Sequence, residues 1–101
     1  MEKININELK ERQNNGEKLL VDFFATWCGP CKSLTPRLEN LEKLYPNVSF
    51  VKLDIEENMQ GLGEYGITSV PTVLVYDGVN FKSKSVGLNT DSFYKGLLEQ
   101  L

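Results

Sequence analysis

Residues 19–25 constrain the fold more than any other part of the sequence. Six of these seven residues are apolar, with no alternation between apolar and polar positions. A strand that is apolar on both faces is typical of the middle of a sheet covered by helices on both sides. Asp22 is the exception, and because apolar residues precede and follow it, we expect its carboxyl group to be buried. The segment therefore predicts an α/β fold.

Other segments predict helices before and after this strand. Near the N-terminus, Asn5 or Asn7 can accept hydrogen bonds from the first amides of a short helix. Over residues 31–45, apolar residues recur at helical spacing, so we expect a long helix that Pro36 kinks and Pro46 ends. Helices on either side of the central strand agree with the α/β class.

The second half of the chain predicts the rest of the sheet. Residues 48–55 should form a second strand, which completes a strand-helix-strand unit with parallel strands and a right-handed crossover. Residues 72–76 and 81–86 flank a turn and suggest an antiparallel hairpin. Residues 56–65 predict a weaker helix, and an apolar stripe predicts a last helix that begins near Thr90. The sheet should therefore be mixed.

The size and charge of the chain argue against several classes of protein. Its 101 residues, 41% of them apolar, fit one domain spanning residues 1–101. A net charge of −3 without a basic stripe argues against binding to nucleic acid. The N-terminus lacks a positively charged stretch leading into an apolar run, and no apolar segment is long enough to cross a bilayer. We therefore expect a cytoplasmic protein that does not associate with membranes.

Two cysteines, Cys28 and Cys31, follow the central strand closely and lie where a helix begins. A bridge between them closes almost no loop, so it suits chemistry better than stability. The free amides and positive dipole end of a helix N-terminus stabilise a thiolate, which is the nucleophilic form of cysteine. Since Cys31 lies one turn further in, we predict that Cys28 attacks and Cys31 resolves. Pro30 suits the first helical turn, and Gly29 allows a partner to approach closely.

A Cys-x-x-Cys pair also occurs in metal sites, which is the main alternative for this motif. Such sites usually need about four protein ligands, and this sequence has no third cysteine and no histidine. The lack of histidine also excludes acid-base catalysis by imidazole. We therefore expect neither a metal ion nor another cofactor.

Residues 21–32, Val-Asp-Phe-Phe-Ala-Thr-Trp-Cys-Gly-Pro-Cys-Lys, resemble the active-site region of the thioredoxin family. The similarity continues in the same order through residues 51–54, 65–67, 70–72 and 86–87. It implies a thioredoxin fold, in which helices flank a central mixed sheet of four to five strands. The sequence departs from the family in two ways. Its N-terminal edge strand is reduced to a few residues around Ile4, and Phe24 stands where a second tryptophan is common.

The resemblance also implies a function, that of a general protein-disulfide reductase in which Cys28 and Cys31 cycle between dithiol and disulfide. In this mechanism Asp22 accepts the proton of Cys31, directly or through water. Burial should raise the pKa of Asp22, whereas Lys52, which the resemblance places nearby, should lower it. We expect the effect of burial to dominate. The structural alternative for Lys52 is a lysine whose charged end simply reaches solvent.

Further residues are implied to form the surface on which a substrate protein docks: Trp27, Gly29, Pro30, Val70, Pro71 and Gly87. The resemblance implies that the Val70–Pro71 peptide bond is cis. It implies disulfide-containing substrate proteins and an NADPH-dependent thioredoxin reductase as partners of a monomer. Three of these residues also have a structural alternative, in which Trp27 packs in the core, Pro71 starts a strand and Gly87 forms a turn or a bulge.

Two other functions stay open from the sequence. One is a specialised oxidoreductase on the same fold, such as an oxidative folding factor or a cytochrome-maturation reductase. The Gly-Pro pair between the cysteines and the missing export signal argue against it. The other is an interaction module, in which the fold serves as a stable subunit of a larger enzyme and the redox chemistry is incidental.

Overall fold

The computed structural model describes all 101 residues and contains five strands, three α-helices and one 3-10 helix. In chain order the elements are β1 (Glu2–Lys3), α1 (Ile6–Asn14), β2 (Lys18–Phe24), α2 (Gly29–Glu42), β3 (Ser49–Asp54), the 3-10 helix (Met59–Tyr65), β4 (Thr72–Asp77), β5 (Asn80–Val86) and α3 (Asp91–Leu98). Strands and helices alternate through the first two thirds of the chain. The α/β class predicted from the sequence is confirmed.

The five strands form one mixed sheet in the order β1-β3-β2-β4-β5, with β2 at its centre. β2 pairs with β3 in parallel and with β4 antiparallel, β1 is parallel to β3, and β5 is antiparallel to β4. This topology confirms the predicted mixed sheet. β1 is only two residues long, and the Ile4 N–H continues its pairing by donating to the Lys52 carbonyl at 2.9 Å.

Helices cover both faces of the sheet, as the apolar β2 predicts. α1 covers one face, where Leu9 packs in one core with Val21 and Phe23 of β2. α2 and α3 cover the other face, where Leu34 and Tyr94 pack in a second core with Leu20. Because side chains alternate along a strand, the side chain of residue 22 lies on the α2 side of the sheet.

The starts of two helices agree with the sequence. Asn5 and Thr90 cap α1 and α3, and each side-chain oxygen accepts a hydrogen bond from the third helical amide. α2 spans Gly29–Glu42, so it begins at the cysteine motif as predicted but ends before Tyr45, where the apolar spacing predicts its end. Its N-terminus includes Pro30 in the first turn, where the missing amide costs nothing.

No helix combines the length and the hydropathy needed to span a membrane.

Residues 56–65 do not form the α-helix that the sequence predicts. A 3-10 helix covers Met59–Tyr65 instead, and none of its residues is buried. Gly61 has a packing role here, because a Cβ atom at this position would lie 2.7 Å from Cγ1 of Ile6. The Asn58 side chain accepts from the Ile6 N–H at 3.0 Å. Contacts with the start of α1 therefore shape this segment.

The two edge strands of the sheet differ in length, since β1 has two residues and β5 has seven. At one edge, β1 covers only part of β3. At the other edge, β5 exposes most of its side chains, including Lys82 and Lys84. The pairing of β4 with β5 is irregular between Val75 and Tyr76.

Candidate active site

The two cysteines lie at the start of α2, a few residues after the end of β2. They form a disulfide, and their Cα atoms are 5.3 Å apart. Cys28 is the N-cap residue of α2, and its Sγ accepts a hydrogen bond of 3.2 Å from the Cys31 N–H. The Cys28 sulfur therefore lies at the positive end of the helix dipole, as predicted.

Both cysteines are nearly covered in this disulfide form, with 5% of Cys28 and 2% of Cys31 exposed. Cys31 is deeper than Cys28 by a small margin, and Cys28 is less accessible than its position at a helix end suggests. The reason is a small apolar cluster that they form with Ala25, against which Ile55 and Val70 pack. Little of either cysteine is therefore in contact with solvent in the disulfide form.

Ile55 belongs to the site although the sequence analysis did not single it out. It follows the last residue of β3, and its N–H donates to the Phe24 carbonyl at 2.9 Å. β2 and β3 are parallel, so their C-terminal ends meet at the same edge of the sheet. The signal that could have identified Ile55 was its place at the end of the second parallel strand, directly beside the strand that leads into the cysteines.

Asp22 is completely buried, which confirms the expectation from the sequence. Neither carboxylate oxygen has a hydrogen-bond partner. Burial raises the pKa of Asp22 from its ordinary value of 3.8 to about 7, while the charge of Lys52 acts in the opposite direction. Burial therefore dominates, as expected, because an uncompensated charge in an apolar environment is costly.

Lys52 is the residue of β3 that pairs with Asp22 across the sheet. Its neighbour Phe50 belongs to the core on the α2 side, so Lys52 shares that side of the sheet with Asp22. The Lys52 ammonium lies 5.7 Å from the centre of the Phe24 ring, and the side chain is half-buried. The structure thus places Lys52 near Asp22, as the resemblance implies, without an ion pair between them.

Two loops complete the surroundings of the cysteine pair. The Val70–Pro71 peptide bond is cis, which confirms the expectation. Val70 is half-buried against the cysteine cluster, and the Gly87 N–H donates to the Pro71 carbonyl at 2.9 Å. Gly87 has φ +84°, a backbone conformation that favours glycine. The structure therefore brings Val70, Pro71 and Gly87 together beside the cysteines.

The remaining predicted surface residues are exposed next to the disulfide. Trp27 exposes 66% of its surface, so the alternative that it packs in the core is wrong. Gly29 and Pro30 are also exposed, in the first turn of α2. A large apolar ring in contact with solvent and next to a nucleophile is typical of a binding surface.

A disulfide at the N-terminus of a helix, packed against a loop with a cis proline, is the arrangement of a thiol-disulfide oxidoreductase. The Thioredoxin family model matches residues 2–99. The chain belongs to the thioredoxin family, whose members are protein-disulfide oxidoreductases.

Individual relatives support this assignment. The chain is 42% identical over 82 residues to the thioredoxin of Chlamydia pneumoniae, covering 81% of this chain and 80% of that protein. Oxidized mitochondrial thioredoxin 3 from Saccharomyces cerevisiae has a similar structure, with a TM-score of 0.87, 35% identity and coverage of 98% of this chain and 94% of that chain.

A second yeast structure is similar to the same extent, with a TM-score of 0.87, 34% identity and the same coverage of 98% and 94%. It comes from a study of the thiol resolving mechanism in yeast mitochondrial 1-Cys peroxiredoxin via glutathione/thioredoxin systems. The chain is thus similar to thioredoxins both over most of its sequence and over nearly all of its fold.

Proposed function

We propose that this chain reduces disulfides in other proteins by a two-step exchange in which Cys28 attacks first. The observation that carries the proposal is the hydrogen bond from the Cys31 N–H to Cys28 Sγ at the start of α2. In the reduced protein this amide and the helix dipole stabilise the Cys28 thiolate. The thiolate attacks one sulfur of the substrate disulfide, forms a mixed disulfide and releases the other substrate sulfur as a thiolate.

In the second step Cys31 loses its proton and attacks Cys28 Sγ, which releases the second substrate thiolate. The substrate gains two electrons, and the chain is left with the Cys28–Cys31 disulfide. We assign Asp22 as the acceptor of the Cys31 proton, directly or through water. Its support is the buried, unpaired carboxyl group with a pKa of about 7, because such a group exchanges protons readily at neutral pH. Lys52 favours the charged form of this carboxyl group.

The substrate is held, in this proposal, by the surface formed by Trp27, Gly29, Pro30, Val70, Pro71 and Gly87. Neither the N–H nor the carbonyl of Val70 takes part in a hydrogen bond within the chain. An extended substrate segment can therefore pair with the Val70 backbone in the manner of an added strand. The exposed Trp27 ring supplies apolar contact next to the reacting sulfur.

We further propose that an NADPH-dependent thioredoxin reductase returns electrons to the disulfide, so that the chain is an electron carrier in cell redox homeostasis. Membership of the thioredoxin family supports this partner. We place the protein in the cytoplasm as a monomer. Cell fractionation tests the location, and recovery of the protein with mitochondria would contradict it. The mitochondrial location of the yeast thioredoxin 3 shows why this control is needed. Sedimentation at micromolar concentration tests the monomer.

Reduction of insulin disulfides tests the activity and the partner separately. The first assay uses dithiothreitol as electron donor, and we expect the chain to accelerate precipitation of the reduced insulin chains. The second assay replaces dithiothreitol with NADPH and a thioredoxin reductase. Activity in the first assay alone would show a competent cysteine pair that this reductase does not recognise. Inactivity in both assays would contradict the proposed function.

A double variant, Cys28→Ser with Cys31→Ser, distinguishes redox chemistry from a role as an interaction subunit. The substitutions retain the shape of the two side chains while removing both sulfurs. We expect the biological role to be lost completely. A variant that kept this role in cells would instead favour the interaction module, with incidental redox chemistry.

A further inference from the structure

Tyr94 contributes a hydroxyl group to the loop that carries Gly87. The side chain is completely buried in α3, and its ring packs in the same core as Leu34 and Leu38 of α2. The hydroxyl donates to the Gly87 carbonyl at 3.3 Å and accepts from the Asn89 N–H at 3.1 Å. Both hydrogen bonds go to the backbone of residues 87–89, which we name the Gly87 loop.

The Gly87 loop has further links to the elements around the cysteines. The Asn89 side chain donates to Ser85 Oγ at 2.8 Å, and the Asn89 carbonyl accepts from Arg37 of α2 at 3.1 Å. On its other side, the Gly87 N–H donates to the Pro71 carbonyl. A shift of this loop would therefore move the cis-proline loop relative to α2, which carries the cysteines.

We propose that Tyr94 is a positioning residue, whose hydroxyl group holds the surface on which a substrate protein docks. It connects the core beneath α2 to the Gly87 loop, and through Gly87 to Pro71, so that this surface keeps a fixed place relative to Cys28. The proposal rests on the proposed docking function of Pro71 and Gly87. Tyr94 touches no reacting atom, and its effect is on how a protein substrate binds.

The ring alone does not explain a tyrosine at this position. A phenylalanine fills the same space, and a buried hydroxyl group is costly unless it is hydrogen-bonded. The two hydrogen-bond partners of the Tyr94 hydroxyl both belong to the Gly87 loop. The apolar stripe in the sequence identifies Tyr94 only as a core residue, so the function of its hydroxyl becomes visible only in the fold.

The test compares Tyr94→Phe with Tyr65→Phe as the matched control. Tyr65 also donates a hydrogen bond from a part-buried hydroxyl, to Gln13 at 2.7 Å, but it lies on the other side of the sheet. The reduced proteins are mixed with insulin, a protein disulfide, and with dithionitrobenzoate, a small disulfide that needs no docking surface. The measured quantity is the second-order rate constant for insulin divided by that for dithionitrobenzoate.

We expect Tyr94→Phe to lower the rate constant for insulin by about five-fold, in line with one lost hydrogen-bonding group. The rate constant for dithionitrobenzoate should change less than two-fold. Tyr65→Phe should leave the ratio unchanged even where urea unfolding shows that it lowers stability. Equal ratios for the two variants would show that the Tyr94 hydroxyl only stabilises the fold, and would overturn the proposal.

A third variant, Trp27→Ala, separates this inference from the proposed docking surface. If Trp27→Ala lowers the ratio and Tyr94→Phe does not, the surface binds substrate without help from the Tyr94 hydroxyl. If neither substitution changes the ratio, the docking surface is itself wrong, and the proposal for Tyr94 is overturned with it.

Discussion

Gln13 and Asp22 are two buried polar side chains on opposite sides of the sheet, and they differ in the number of hydrogen bonds they make. On the α1 side, Gln13 donates to the Gly78 carbonyl at 3.3 Å and accepts from the Tyr65 hydroxyl at 2.7 Å. On the α2 side, Asp22 is buried more completely and has no partner. The first arrangement satisfies its polar atoms, whereas the second leaves an acid in an apolar environment.

The difference shows how structure and chemistry are divided between the two sides. Gln13 links α1 to the turn before β5 and to Tyr65. Burial raises the pKa of Tyr65 to about 12, so the Tyr65 hydroxyl remains a hydrogen-bond donor at neutral pH. Asp22 lowers stability when it is charged, but its raised pKa suits proton exchange. The unpaired carboxyl group of Asp22 therefore indicates chemistry, whereas the paired amide of Gln13 indicates a structural role.

The cysteine pair offers the strongest test of the chemical side. We expect Cys28→Ser to abolish disulfide reduction, because it removes the nucleophile. In the Cys31→Ser variant, Cys28 should still attack the substrate disulfide. The covalent mixed disulfide should then accumulate, since no second thiol remains to resolve it. Mass spectrometry after mixing with insulin detects this adduct. Alkylation of the reduced protein by limiting iodoacetamide should modify Cys28 first, and modification of Cys31 first would reverse the assigned roles.

Asp22→Asn sharpens the comparison through its dependence on pH. Between pH 4 and pH 7 the native wild type retains a proton on Asp22 that the unfolded chain has released, so this group's contribution to stability falls as the pH rises. The shift from 3.8 to about 7 corresponds to about 4 kcal/mol. We therefore expect the free energy of unfolding of the variant, relative to that of the wild type, to increase by up to this amount as the pH rises from 4 to 8.

Urea unfolding of the oxidised proteins at both pH values measures this gain. The cost of burying the asparagine amide does not depend on pH and cancels in the difference. We also expect the variant to resolve the mixed disulfide more slowly near neutral pH. A stability difference that is the same at pH 4 and pH 8 would show that Asp22 titrates normally.

Gln13→Ala is the matched substitution on the other side of the sheet. It leaves the Gly78 carbonyl and the Tyr65 hydroxyl without their partner, so we expect a loss of about 1–3 kcal/mol in the free energy of unfolding. Unlike the change at Asp22, this loss should be constant between pH 4 and pH 8. The rate of insulin reduction should stay at the wild-type value, and a slower reaction would place Gln13 in the chemistry after all.

The smallest expected effect is spectroscopic. Trp27 is the only tryptophan and directly precedes Cys28, and a disulfide quenches the emission of a nearby indole. Reduction should therefore increase the fluorescence of the wild type, and Gln13→Ala should show the same increase. Identical spectra of the oxidised and reduced proteins would mean that the ring lies away from the sulfurs.

The sequence predicts most of the fold because its strongest signals are local. The apolar run of β2, the helical spacing in α2 and the cap residue Thr90 each identify an element without reference to the rest of the chain. The error over residues 56–65 has a different origin. The glycine at position 61 permits close packing against Ile6, a contact between distant parts of the chain that local propensity does not contain.

The site was predicted in part for the same reason. Cys28 and Cys31 are recognisable from their spacing, and the burial of Asp22 from its apolar neighbours, whereas its role as proton acceptor is implied only by the resemblance to the thioredoxin family. Ile55 was missed as a site residue because its place depends on which strands are neighbours. The positioning role that we propose for Tyr94 was missed because it depends on where the hydroxyl points. The raised pKa of Asp22 could be anticipated in direction from burial, but its size depends on the packing around it.

The exposed lysines of β5 have a consequence for the behaviour of concentrated protein. A free edge strand offers unpaired backbone groups to a second copy of the same chain, which is a route to aggregation. When two copies meet edge to edge along β5, Lys82 and Lys84 of each bring like charges together. Such charge repulsion is weakened by salt, so association through this edge should be most strongly opposed at low ionic strength.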